Sequence, residues 1–274
     1  MKSVVLLVFL LTATHTIYGQ YYYNDIITTQ QTNNQYLLLK KNNVQQVSAK
    51  SYEADGELTA DFQLEQNILN NASEITTTSS YPSTGKSESQ SFYENDKLSK
   101  TITNSDNVQS TVLYSYEDDL LKSITTQTTD TFMNSSSQEV HEWFYENSKP
   151  TKMLLIKNNN DTTTIELTMD EHGDVAEERW RKKGHLVENY FYYYNDQHKL
   201  TDIVRYNAKA QRLLPDYLFE YDSNGTLKKL TQIPQGSADY LVWQYEYLPN
   251  GLKQKELCFN KQKQPVGSIE YTYK

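Results

Sequence analysis

The chain has one cysteine, six prolines and nine glycines in 274 residues, and each scarcity excludes something. A lone thiol, Cys258, forbids an intramolecular disulfide, and its place in Glu256-Leu-Cys-Phe-Asn reads as a buried structural position in a strand. Glycine-rich phosphate cradles are absent, as are GxSxG, HExxH, HxH and any Cys/His cluster. The histidines after the leader, His141, His172, His185 and His198, fall in different stretches, and neither the EF-hand loop nor the nine-residue calcium-binding period occurs. No catalytic residue, metal ligand or cofactor contact is therefore expected. Basic residues number 26 against 35 acidic ones, a net charge of −9, which argues against a nucleic-acid or anionic-lipid partner. Beyond the first residues no apolar run approaches a membrane-spanning helix, so no membrane insertion is expected.

What the chain does have begins with a leader. Residues 1–19 carry Lys2, an apolar core from Val4 to Leu11 and a small residue before Gln20, the pattern of a secretory signal cleaved near Gly19/Gln20. The expected location is therefore periplasmic or secreted. Tyrosine follows in quantity, 23 residues against a mean hydropathy of −0.76, so the buried surface must be built from rings with polar tips.

Those tyrosines repeat. The stretch Phe219-Glu-Tyr-Asp-Ser-Asn-Gly-Thr-Leu-Lys-Lys-Leu230 alternates, turns at an Asp-Ser-Asn-Gly tetrad and returns from Leu227, the signature of a β-hairpin. Comparable units are anchored at Tyr52, Tyr93, Tyr116, Tyr145, Met169, Tyr194, Tyr221 and Tyr247, with Tyr273 opening a ninth. After a longer first interval the spacing is roughly 23 to 29 residues, the range of stacked supersecondary units. Two residues before most anchors stands another large apolar side chain (Tyr114, Trp143, Leu167, Tyr192, Phe219, Tyr245, Tyr271), so one face of each strand is aromatic and the other mostly polar.

This pattern, a strand ending in tyrosine, an acidic turn with glycine and a leucine-led return (Leu121-Lys-Ser-Ile-Thr, Leu227-Lys-Lys-Leu-Thr), resembles the tyrosine-aspartate repeats of Rhs-type proteins over residues 47–274. The resemblance implies a spiralling β-sheet shell. The expected fold is all-β: an antiparallel β-hairpin repeat array forming a curved or spiralling sheet, with tyrosine ladders on its concave side. Residues 20–46 are expected to supply capping strands at one end. Residues 64–86 and 125–138, rich in Ser, Thr and Asn, read as surface loops, and no amphipathic helix of three turns stands out.

Function is less legible. Carboxylates such as Asp55, Asp118, Asp119, Asp170, Glu171, Glu177 and Glu178 lie in or just after turns, where caps are commoner than general acids. The remaining feature is aromatic side chains on the polar face, Phe92, Phe144, Phe191 and Tyr193, candidates for contact with a protein or glycan partner. The composite expectation is an exported, non-catalytic binding or structural module. A secreted carbohydrate-active enzyme with a carboxylate pair in a concave groove is the alternative.

Overall fold

The computed structural model describes residues 20–60, 62–81, 85–207, 211–235 and 237–274; the leader lies outside them. Eighteen strands follow one short helical region. A π-helical turn (Tyr22–Ile27) runs into α1 (Thr28–Lys41), and then come β1 (Gln46–Glu53), β2 (Gln63–Leu69), β3 (Glu74–Tyr81), β4 (Gly85–Glu94), β5 (Lys97–Ser105) and β6 (Val108–Glu117). The meander continues through β7 (Leu120–Asp130), β8 (Ser135–Glu146), β9 (Lys149–Lys157), β10 (Asp161–Met169), β11 (Val175–Lys182) and β12 (His185–Tyr194). It ends with β13 (Leu200–Asn207), β14 (Arg212–Tyr221), β15 (Leu227–Gln232), β16 (Leu241–Tyr247), β17 (Lys253–Asn260) and β18 (Pro265–Tyr273).

Every strand pairs antiparallel with its neighbours in sequence. The first and last strands also pair, from Val47↔Tyr273 to Glu53↔Gly267, so the sheet closes. The fold is an 18-strand up-and-down β-barrel, which corrects the curved or spiralling open sheet expected from the repeats. Closure removes both edges and with them the exposed backbone groups of an open array.

The repeat is a ring of bulged hairpins. At Tyr93, Tyr116, Tyr145, Met169, Tyr194, Tyr221 and Tyr247 the register slips by one residue, so each anchor points inward beside a bulge on the return strand. The hydroxyls of Tyr116, Tyr145, Tyr194, Tyr221, Tyr247 and Tyr273 each donate 2.6–3.0 Å to the carbonyl opening the previous return strand: Leu98, Leu121, Val175, Leu200, Leu227 and Lys253. At these six positions a tyrosine thus stitches a hairpin to the one before it. Met169 has no hydroxyl to give, and Tyr93 instead stacks on Tyr36 of α1 with centroids 3.9 Å apart. Tyr52 is not part of the ring: it pairs with Ser268 on the outer face and sits at the opposite rim.

The turns follow from their residues. Asn95-Asp96, Asp118-Asp119 and Asn147-Ser148 have both φ angles positive, as a two-residue hairpin turn needs. In the Asp222–Thr226 turn the Asp222 carboxylate accepts the N–H of Asn224 and of Thr226, and Gly225 takes φ +76°.

Truncating one rung tests the ring. Tyr221→Ala should cost about 3 kcal/mol in urea unfolding, since it deletes a packed ring and its bond. Glu220→Ala on the outer face should change stability by less than about 0.5 kcal/mol, because its pair with Lys229 is exposed. Equal, small effects would contradict the ladder.

Residues 20–41 fill the lumen. Barrels of this strand number enclose a space wider than wall side chains can fill. Here Tyr21 stacks on Trp180 of β11 (4.5 Å), Tyr22 meets Tyr192 of β12 (5.3 Å), and Tyr23 meets Tyr217 and Phe219 of β14 (5.4 and 5.6 Å). On other sides Asn33 accepts the Leu98 N–H of β5 at 2.9 Å, and Leu38 lies against the β16–β17 turn at Gly251. Only a segment inside the barrel can touch strands so far apart around it. Where capping strands were expected over residues 20–46, the chain forms a helical plug.

Two expected loops are strands as well. Residues 64–86 contain most of β2 and β3, and residues 125–138 contain the end of β7 and the start of β8. Their inward positions are Thr and Ser (Thr77, Ser79, Thr126, Thr128), so hydrophobic alternation fades although threonine suits a strand.

Candidate functional site

Two places have the chemistry of a site: the polar anchors of the lumen and one hollow at the tyrosine rim. In the lumen, Glu178 of β11 is fully buried and accepts four hydrogen bonds. They come from the backbone N–H of Tyr21 (2.9 Å) and Tyr22 (3.0 Å), the Trp180 indole (2.5 Å) and the Tyr192 hydroxyl (2.6 Å). Burial pushes its carboxyl above the usual range, and the donors oppose that shift. The two backbone donors are N–H groups at the start of the π-helical turn, so Glu178 caps the plug.

A second anchor is Asp25, whose carboxylate takes the Trp143 indole N–H at 3.0 Å and the His141 Nδ1 at 2.7 Å. His141 Nε2 faces Glu139 at 2.9 Å, and Lys157 also reaches Glu139 at 2.9 Å. With a carboxylate on each nitrogen the ring is an imidazolium. Burial alone would lower its pKa, but Asp25 and Glu139 outweigh burial and push it up to about 10. The His141 bond holds Glu139 down at about 2.

Gln20 donates to Asp216 at 2.8 Å, and Asp216 is held by Arg205 through bonds of 3.1 and 3.2 Å. Glu256 accepts from Tyr271 at 2.6 Å and pairs with Lys253 at 2.7 Å. Asp25, Asp216 and Glu256 were not singled out in the sequence and Glu178 was placed beside a turn, although a signal exists: Glu178 and Glu256 stand at inward register positions, opposite Leu167 and Tyr245, where the aromatic stripe breaks. Glu178 belongs to the lumen, not to a turn. Cys258 is also fully buried, which pushes its thiol up to about 12.

The His141 pairing gives a pH dependence. A histidine raised in the folded state contributes stability that is whole below its ordinary pKa of 6.5 and is lost as pH rises toward 10. The melting temperature should fall between pH 7 and pH 10, and His141→Gln should flatten that fall; parallel curves would contradict the assignment.

The outward aromatics are not brought together. Phe92 lies on β4, Phe144 on β8, and Phe191 with Tyr193 on β12. Four inter-strand spacings separate each from the next, about 19 Å along the sheet. Lys100 sits over the Phe92 ring at 5.4 Å, and Lys152 (4.2 Å) and Lys122 (5.3 Å) sit over Phe144. Among the described residues no lysine covers Phe191 or Tyr193, and Tyr193 is 47% exposed.

Phe191 and Tyr193 line a hollow of ≈ 550 Å³ between the β10–β11 and β12–β13 turns. Its mouth carries Asp170, His172, Asp174 and His198. The two histidines, far apart in sequence, meet edge to face at 5.7 Å, and His198 Nδ1 bonds Asp174 at 2.6 Å. That bond raises the His198 pKa. No group of three His, Cys, Asp or Glu side chains among the described residues is disposed to hold a metal.

No protein-family model and no curated protein matches the chain. Solved structures do. A porin-like protein from Bacteroides uniformis is 10% identical with a TM-score of 0.40, over 84% of this chain and 98% of that one. A porin-like protein from Bacteroides vulgatus is 11% identical with a TM-score of 0.29, over 84% and 98%. A candidate exported protein with a YmcC-like fold from Bacteroides fragilis is 11% identical with a TM-score of 0.20, over 84% and 94%. The resemblance to Rhs-type tyrosine-aspartate repeats is corrected by the topology: the hairpins close through β1 and β18 into a barrel, where that resemblance implied an open spiralling sheet.

Proposed function

We propose that the chain is an exported, non-catalytic β-barrel that works in water at or beyond the cell envelope, as a binding module acting through its outer surface. The observation that carries this is the character of the outer face. In a membrane barrel that face is an apolar band, and a lysine or arginine at mid-bilayer costs roughly 2–4 kcal/mol. Here it carries Arg181 paired with Glu166 at 2.9 Å, Arg179 with Glu177 at 2.6 Å, Lys255 with Glu270 at 2.8 Å, and Lys229 with Glu220. Thr76, Thr78, Gln90, Asn104, Thr125 and Gln127 occupy outward positions on β3, β4, β5 and β7. Such a wall favours water over lipid, and the plug stands where a channel would run.

The lumen also speaks against a hydrolase. Glu178, Asp25, Asp216 and Glu256 are each engaged by donors from the plug or the wall, which leaves none of them facing a substrate groove. Export rests on the leader at residues 1–19.

The test is behaviour without detergent. The purified protein should be soluble and monodisperse in buffer, stay out of liposomes and leave a planar bilayer silent. Partition into liposomes or step conductance would overturn the reading.

A further inference from the structure

We propose that the hollow at the rim, between the β10–β11 and β12–β13 turns, is a binding site for a neutral carbohydrate, an inference that rests on the binding-module reading above. Its shape comes from one residue of the repeat. At the bulge that follows each anchor the other hairpins carry Ser99, Lys122, Thr151, Thr201, Lys228 or Gln254, whereas β11 carries Ala176, which lines the hollow. A single methyl group leaves the space open above the sheet. Its volume of ≈ 550 Å³ lies in the range of small-molecule sites, about 300–1,000 Å³.

The walls supply two complementary kinds of contact. Phe191 and Tyr193 offer ring faces, and of the four outward aromatics Phe92, Phe144, Phe191 and Tyr193 they are the two that no lysine among the described residues covers. Aromatic faces pack against the C–H face of a sugar ring, while the equatorial hydroxyls need donors and acceptors at the edge. Those stand at the mouth in His172, Asn195 and Asp196.

Charge decides against an acidic sugar. Asp174 is paired with the His198 ring at 2.6 Å, and that bond raises the His198 pKa. Asp170 spends Oδ1 on the backbone N–H of His172 and of Asp174, both at 2.9 Å. The lining holds three acidic side chains, Asp170, Asp174 and Asp196, with two histidines, and hydrogen bonds from backbone N–H groups do not remove a carboxylate's charge, so an anionic sugar would meet like charge. A neutral polyhydroxylated ring, whose hydroxyls can donate to those carboxylates while its C–H face packs on the aromatics, fits that lining better than a uronic or sialic acid.

The test screens the purified protein on an array of neutral and acidic oligosaccharides, with calorimetry on the hits and spermidine as the cationic comparator. Three variants accompany it: Phe191→Ala with Tyr193→Ala, Tyr193→Phe, and Phe144→Ala as the lysine-covered control, each checked for an unchanged cooperative melt. Binding of a neutral oligosaccharide that weakens at least tenfold in the double variant, persists in Tyr193→Phe and is untouched by Phe144→Ala is the expected result. If the double variant melts differently, Tyr193→Ala alone is read in its place. Retention of spermidine or of acidic glycans instead, sugar binding indifferent to these rings, or no sugar retained at all would each overturn the assignment. Those outcomes leave the binding-module reading standing, whereas turnover of a bound glycan or bilayer conductance would remove that reading itself.

Discussion

Glu178→Ala should remove a large share of the barrel's stability. The substitution leaves the Trp180 indole, the Tyr192 hydroxyl and the N–H groups of Tyr21 and Tyr22 without their acceptor. An unpaired buried donor costs about 1–3 kcal/mol, so even with relaxation the loss should be on the order of 4 kcal/mol. That is a large share of the roughly 5–15 kcal/mol that holds a typical domain together. Glu178→Gln, which keeps one acceptor oxygen in the same place, should cost distinctly less. Urea unfolding of both variants measures the difference; near-equal, small losses would show that the carboxylate is not what seats the plug.

Deleting residues 20–41 should have a still larger effect. Ile26, Tyr36 and Leu39 are buried; Tyr21, Tyr22 and Tyr23 pack against the cluster that holds Ile26, and Tyr36 and Leu39 belong to a second one. At about 1.5–3 kcal/mol for each fully buried large side chain, the three alone account for on the order of 6 kcal/mol. The wall tyrosines they cover would then face an open lumen. The shortened chain should lose its cooperative melt, and a synthetic peptide of residues 20–41 added during refolding should restore it. A shortened chain that melts like the full one would show the plug to be dispensable.

The hairpins were legible in the sequence because their cause is local. Tyr221, Asp222, Gly225 and Leu227 specify a strand end, a turn and a return strand without help from elsewhere. The aromatic face was legible for the same reason, since alternation is a property of one strand. Closure was not. Ser48 and Thr272 meet across 224 residues, and nothing in either strand names the other. Tyr52 shows the limit of letters: Tyr-Glu-Ala-Asp-Gly imitates a rung, yet the β1 strand runs the other way and puts the ring outside.

The plug escaped for a different physical reason. Residues 28–41 are rich in Thr, Gln and Asn and are contacted by several strands around the lumen, so no single apolar stripe marks the helix. Its helicity comes from the lumen that surrounds it, not from propensity. At the rim, Phe191 and Tyr193 could be read as outward from parity alone. That lysines would cover Phe92 and Phe144 depended on cross-strand register, Phe92↔Lys100 and Phe144↔Lys152, which the bulges set.

The most direct test of the closed, self-filled barrel is a cross-link between its first and last strands. Ser48 and Thr272 face each other on the outer wall with hydroxyls 2.7 Å apart. Ser48→Cys combined with Thr272→Cys places two thiols at a separation that a disulfide can span. A closed barrel gives an intramolecular disulfide under mild oxidation, seen as a faster-migrating monomer on a non-reducing gel that reverts with reductant. Both introduced thiols left free, beside the buried Cys258, in a folded, monomeric protein would mean that β1 and β18 are apart, and the barrel open.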